Sequence, residues 1–294
     1  MKRAFAAWLA GPTLALAQAA DPQPDELLQL AFPKWKDEEG SRVVAIPTNA
    51  VTRAWDSKQG RTRNVIAAPR QVVRTVPDRI VLLAALTPAG DGGAPQVAHG
   101  TPLGLAAYTF QPGKDGWKLV RRQEPFDLQG FEGQAHMEVV PLSTSEQALH
   151  VTWGSCWQGR CVDLLALYAL GADGVRAQPL VVQKFRGNNV YARPDCVHRL
   201  RELMPDIQPG EGGHEKVPAG PCYAIEGRWE IDIGGAAAHG RGAPGPLILH
   251  FTGAISKANG PVNLPAQRID QKVTFEFRGG RYVPVSGNNP VPDA

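Results

Sequence analysis

Short runs in which apolar and polar residues alternate recur through most of this chain, and glycine or proline separates them. A period of two puts successive side chains on opposite faces of a strand, so each run reads as a half-buried β-strand. Strands are expected at residues 42–46, 71–75 and 79–86, the last two joined by a turn at Val76-Pro77-Asp78. A meander follows. Residues 105–110 and 117–121 flank QPGKDG, residues 137–142 and 150–155 flank STSEQ, and residues 162–170 and 175–182 flank GADG. The C-terminal section repeats the pattern at 223–233, 247–255, 272–278 and 281–285, with Gly279-Gly280 as a hairpin turn. Short links between successive strands predict antiparallel pairing in a sandwich, a barrel or a propeller-like array.

Helical spacing is rare. Asp25 is read as the cap of a short helix over residues 26–30 that Pro33 ends, and Asp195 as the cap of CVHRLRELM, which stops at Pro205. The fold expected is mainly β, with antiparallel sheets and one or two short helices. The glycine-rich stretch 208–221 divides a central β-meander region, residues 20–205, from a C-terminal β subdomain, residues 206–294. The two sections are equally compatible with one continuous domain.

The N-terminus breaks the β pattern. Lys2 and Arg3 precede an uncharged, mostly apolar run over residues 4–17, and small residues then alternate at Ala15, Ala17 and Ala19. This is the layout of a secretory signal peptide over residues 1–19. The run falls short of the roughly 20 apolar residues of a membrane span. No cysteine follows the cleavage region to carry a lipid, and no later segment predicts an integral membrane helix. The expected location is periplasmic or secreted.

Composition agrees with that picture. Glycine (32) and proline (26) make up about a fifth of the 294 residues and lie between strand-like runs, which indicates many turns. The formal charge of +3 includes Lys2 and Arg3, so the rest of the chain carries +1 and gives no electrostatic case for nucleic acid.

All four cysteines, Cys156, Cys161, Cys196 and Cys222, follow the leader, and an oxidising compartment predicts two disulfides. Alternation chooses the pairing. With Cys156 opposite Cys161, Trp153 falls opposite Leu164 and Val151 opposite Ala166, so the apolar faces coincide. A one-residue slip would destroy the match. Cys196–Cys222 follows as the second bridge. The spacing of the first pair is wrong for a C-x-x-C redox motif, and a zinc site needs more ligands in paired spacing. At the hairpin tip, WQGR, Trp157 and Arg160 are residue types common at binding hot spots. The alternative for this tip is a stapled turn whose tryptophan folds back on the sheet.

Catalytic signals are weak. In residues 225–233, IEGRWEIDI, one face carries Ile225, Trp229, Ile231 and Ile233 and the other Glu226, Arg228, Glu230 and Asp232. Two carboxylates on one strand face can reach glycosidase-like separations, and His250 joins them if its strand pairs with theirs. The same pattern describes the wet face of an antiparallel sheet. The histidines show no H-x-H, H-x-x-x-H or H-E-x-x-H spacing, although His136 and Glu138 share a strand face. No serine elbow, phosphate loop or calcium loop is present, and no metal or cofactor is implied. The reading ranked first is an exported binding or interaction module for an envelope protein or a small ligand. The alternative is an envelope polymer or glycan hydrolase using Glu226, Glu230 or Asp232 with His250.

Overall fold

A computed structural model describes residues 22–38, 40, 42–55, 60–208, 220–234, 242–256 and 265–293. The proposed leader, with His214 and His239, lies outside the described residues. The chain is mainly β. Helix α1 (Pro24–Ala31) precedes β1 (Val43–Pro47), β2 (Thr62–Val76), β3 (Arg79–Pro88), β4 (Leu103–Gly113) and β5 (Gly116–Gln129). These five strands form one antiparallel sheet in sequence order.

The second sheet has nine strands: β6 (His136–Pro141), β7 (Gln147–Trp157), β8 (Arg160–Gly171), β9 (Gly174–Val175), β10 (Val181–Asn188), β11 (Tyr223–Ile231), β12 (Leu247–Ile255), β13 (Gln267–Arg278) and β14 (Arg281–Ser286). Its order is β14-β13-β12-β11-β10-β8-β7-β6, with β9 also on β8, and every pair is antiparallel. Helix α2 (Pro194–Leu200) sits between β10 and β11.

Three apolar interfaces stack these elements. Leu27 and Leu28 of α1, with Trp35, pack on Ile80, Leu82, Tyr108 and Phe110 of the first sheet. The opposite face of that sheet, including Val81, Leu83 and Leu105, packs on Leu149, Val151, Ala166 and Tyr168 of β7 and β8. The other face of β7 and β8, with Ala148, Leu165 and Leu167, packs on β10 to β14 through Phe185, Ile225, Leu249, Phe251 and Phe275. The nine-stranded sheet therefore folds over itself near β10, where the register shifts between Lys184 and Arg186. At the same fold Gly227 is required, because a Cβ there would lie 1.9 Å from the carbonyl oxygen of Phe185.

The cysteine register is the one that alternation predicts. Trp153 pairs with Leu164, Val151 with Ala166 and Cys156 with Cys161. Both disulfides form, Cys156–Cys161 and Cys196–Cys222, the latter tying α2 to the start of β11. They indicate an oxidising, extracytoplasmic environment. Among the described residues no helix is long and apolar enough to cross a membrane.

Several boundaries differ from the pattern reading. Strand β2 begins at Thr62 rather than near residue 71, because the ladder absorbs Pro69 at a bulge between Pro69 and Gln71. Both helices start earlier than expected. Pro24 and Pro194 take their first turns, where a missing N–H costs nothing, and the N-caps are Gln23 and Arg193. Asp195 thus lies inside α2 and pairs instead with Arg193 (2.7 Å) and Arg199 (3.1 Å), which hold its carboxyl below the usual range.

Candidate functional site

The stapled hairpin is built from its turn outward. Gln158 and Gly159 have φ of 48° and 77°, the left-handed pair that a two-residue hairpin turn requires. Trp157 and Arg160 are therefore a cross-strand pair flanking the turn, rather than part of a four-residue loop. The Cα atoms of Cys156 and Cys161 are 4.0 Å apart, in the close class of antiparallel pairs that exchange no backbone hydrogen bonds. The backbone groups of Cys156, and of Gly154 two residues back, consequently point away from β8.

On that outer side β6 pairs with β7 only as far as His136 opposite Thr152. Beyond it, among the described residues, no strand pairs with the outer edge of β7 from Trp153 to Trp157. The other strand of the hairpin is covered, since Cys161, Val162 and Asp163 pair with Asn188, Gly187 and Arg186 of β10.

A groove of about 660 Å³ runs along this open edge. Thr152, Ser155 and Cys156 form one wall and Phe131, Glu132 and Gln134 the other, with Arg70 and His99 completing it. The His99 ring bridges two aromatic residues, with centroids 5.0 Å from Phe131 and 5.2 Å from Trp157. Its Nδ1 lies 2.9 Å from Glu132 Oε1. Glu132 holds φ 52°, a left-handed conformation uncommon for a residue other than glycine. Trp157 is 61% exposed. Two more exposed apolar side chains belong to the same neighbourhood: Tyr191, whose backbone abuts Gly159, and Val97, which touches Gly133.

Asp163 closes one end. A Cβ on Gly154 would meet Asp163 Oδ1 at 2.5 Å, so the glycine makes room for this carboxylate beside the open edge. Burial pushes the Asp163 carboxyl up, and Arg186 at 3.7 Å pulls it back. At the mouth, His136 Nε2 lies 3.8 Å from Glu138 Oε2. Glu138 Oε1 lies 2.8 Å from Nδ1 of His150, which is buried against Trp229 at a centroid distance of 4.2 Å. The shared strand face of His136 and Glu138 was legible in the sequence. The third member, His150, comes from the neighbouring strand.

The acidic strand lies elsewhere. Glu226, Glu230 and His250 are exposed on the outer face of β11 and β12, as is Asp232 just past the end of β11. Arg228 stands opposite His250. Glu226 pairs with Arg186 at 3.0 Å and Glu230 with His250 at 3.6 Å. Glu226 and Glu230 are four positions apart, about 13 Å along a strand, while Glu230 and Asp232 are about 7 Å apart. Asp195, Cys196 and Cys222 come close enough together to suggest a metal cluster, but their two sulfurs are bonded to each other.

Of the residues singled out from sequence, Cys156 and His136 line the groove, Trp157 stands beside it against the His99 ring, and Arg160 pairs with Trp157 across the hairpin. Arg70, His99, Phe131, Glu132 and Asp163 were not anticipated there, since they come from four separate segments. The one local hint was the pair Gly130 and Gly133 around Phe131-Glu132, both at positive φ. No protein-family model, curated protein or solved structure matches this chain.

Proposed function

We propose that this protein is an exported binding module, periplasmic or secreted, whose ligand occupies the groove beside the stapled hairpin. Residues 1–19 act as its cleaved leader. The observation that carries the reading is the exposed Trp157, held on a disulfide-locked hairpin at the rim of a groove lined by paired polar groups. An exposed tryptophan on a rigid support offers a large contact area at little entropic cost. The polar lining gives orientation, and apolar surface with a few placed polar groups is the usual make-up of a ligand site. Arg160 supplies a cation across the strand from Trp157. The carboxylates of residues 226–232 and His250 do not enter this reading.

The test is a comparison of baits in envelope extract, the wild-type protein against Trp157→Ala/Arg160→Ala. The reading expects a partner or ligand that the wild type retains and the double variant loses. Identical profiles from two equally folded baits would contradict it.

A further inference from the structure

We infer that the groove binds an extended peptide, which adds to the nine-stranded sheet along the open edge of β7 in line with β6. The inference rests on the binding reading above and names the class of ligand. Its first support is the backbone. The pairing geometry at Cys156 and Cys161 turns the N–H and C=O groups of Gly154 and Cys156 toward the groove, and no described residue accepts or donates there. An edge with unmet backbone groups is a template for strand addition. Here the template continues an existing ladder, because the β6–β7 pairing stops at Thr152 while β7 runs on to Trp157.

The second support is that the chain's own backbone is turned away from this edge. Phe131 and Gln134 bond to each other, and Gly133 donates to the carbonyl of Thr101. The segment before β6 therefore forms the far wall of the groove and leaves the space between open.

Side chains then set the peptide's chemistry. Trp153, Ser155 and Trp157 alternate with Gly154 and Cys156, so an added strand presents its residues alternately to two different surfaces. One surface carries Trp157, with His99 and Phe131 behind it, and suits an apolar or aromatic residue. The other carries Asp163 over Gly154. Asp163 has Arg186 only at 3.7 Å and accepts a further cation, so the residue facing it is basic. The peptide is an extended segment alternating apolar and basic side chains.

The experiment uses the full oxidised chain and a displayed library of random linear peptides. Selected peptides should alternate in this way. Their affinity should fall at least about tenfold for Trp157→Ala, a change that should shift the melting temperature only slightly because most of the side chain is exposed. Methylating alternate backbone nitrogens of a selected peptide should abolish binding, and methylating the intervening ones should not. Binding that is indifferent to backbone methylation would overturn strand addition. A library yielding no binder, alongside soluble oligosaccharides that bind in a Trp157-dependent way, would overturn the peptide and leave the groove reading standing. A dimer in sedimentation without peptide, dissociated by Trp157→Ala, would assign the edge to a second copy and also overturn the proposal.

Discussion

The Tyr168 hydroxyl donates to Asp127 Oδ2 at 2.6 Å, joining the two sheets through their shared core. Gln129 Nε2 donates to the same hydroxyl at 2.8 Å and to the same carboxylate oxygen at 3.0 Å. The phenol is buried, and burial with Asp127 beside it drives its pKa well above the ordinary tyrosine value. It therefore acts as a neutral donor across the physiological range.

Removing that hydroxyl leaves Asp127 with the weaker donors of its own strand. Tyr168→Phe is expected to lower unfolding stability by about 1–3 kcal/mol, the range for a buried acceptor that loses its partner. Denaturant titration checks this, with the midpoint shifting while the slope holds. An unchanged midpoint would mean that water replaces the phenol and that the link between the sheets contributes little.

The two disulfides differ in access. Cys196 and Cys222 are fully buried, whereas Cys156 is exposed. Mild reductant should therefore release the thiols of Cys156 and Cys161 first, as read by alkylation and peptide mapping. Loss of Cys196–Cys222, which closes a separation of 26 residues, should cost about 3–4 kcal/mol on the loop-entropy estimate. The Cys156–Cys161 staple, with a separation of 5, should cost about 2 kcal/mol.

His150 gives a pH dependence of definite sign. Burial lowers its pKa below 6.5, and the bond to Glu138 only partly offsets this. The groups facing it are Glu138 and His136 on β6 and the uncharged Trp229 on β11. The folded state then binds the proton less well than the unfolded chain does. Its contribution is complete above pH 6.5 and is lost as pH falls through the folded value. Each unit of depression is worth about 1.4 kcal/mol. His150→Gln keeps a donor for Glu138 and removes the titration, so its stability should fall less steeply than that of the wild type between pH 7 and 5. Parallel curves would contradict the assignment.

What the sequence showed and what it hid follow from locality. The hairpin register was legible because alternation on either side of Cys156 and Cys161 admits one match. The strand boundaries from Leu247 to Ile255 were legible for the same reason. The double burial of β7 and β8 was harder to see. Alternation assigns one face to the core, but LLALYAL is apolar on both, and Leu165 and Leu167 pack on β10 to β14 while Ala166 and Tyr168 pack on the first sheet. Proline at residue 69 masked the first half of β2, because a bulge that tolerates it leaves no mark in the pattern. The groove was hidden for a different reason. Arg70, His99, Glu132 and Asp163 meet only after both sheets have stacked, and no local spacing records that. The wet face of Glu226, Arg228 and Glu230 was, by contrast, readable from β11 alone, and His250 joins it from the paired strand β12.

Hydrogen–deuterium exchange on the full chain, free and with a library-selected peptide, tests the account most directly. In the free protein the amides of Gly154 and Cys156 should exchange quickly, while those of Ser155 and Trp157, bonded to β8, should be protected. Peptide should slow exchange at Gly154 and Cys156 and across residues 131–136. Protection that appears instead around residues 226–232 and 250–252, with the β7 edge unchanged, would contradict it.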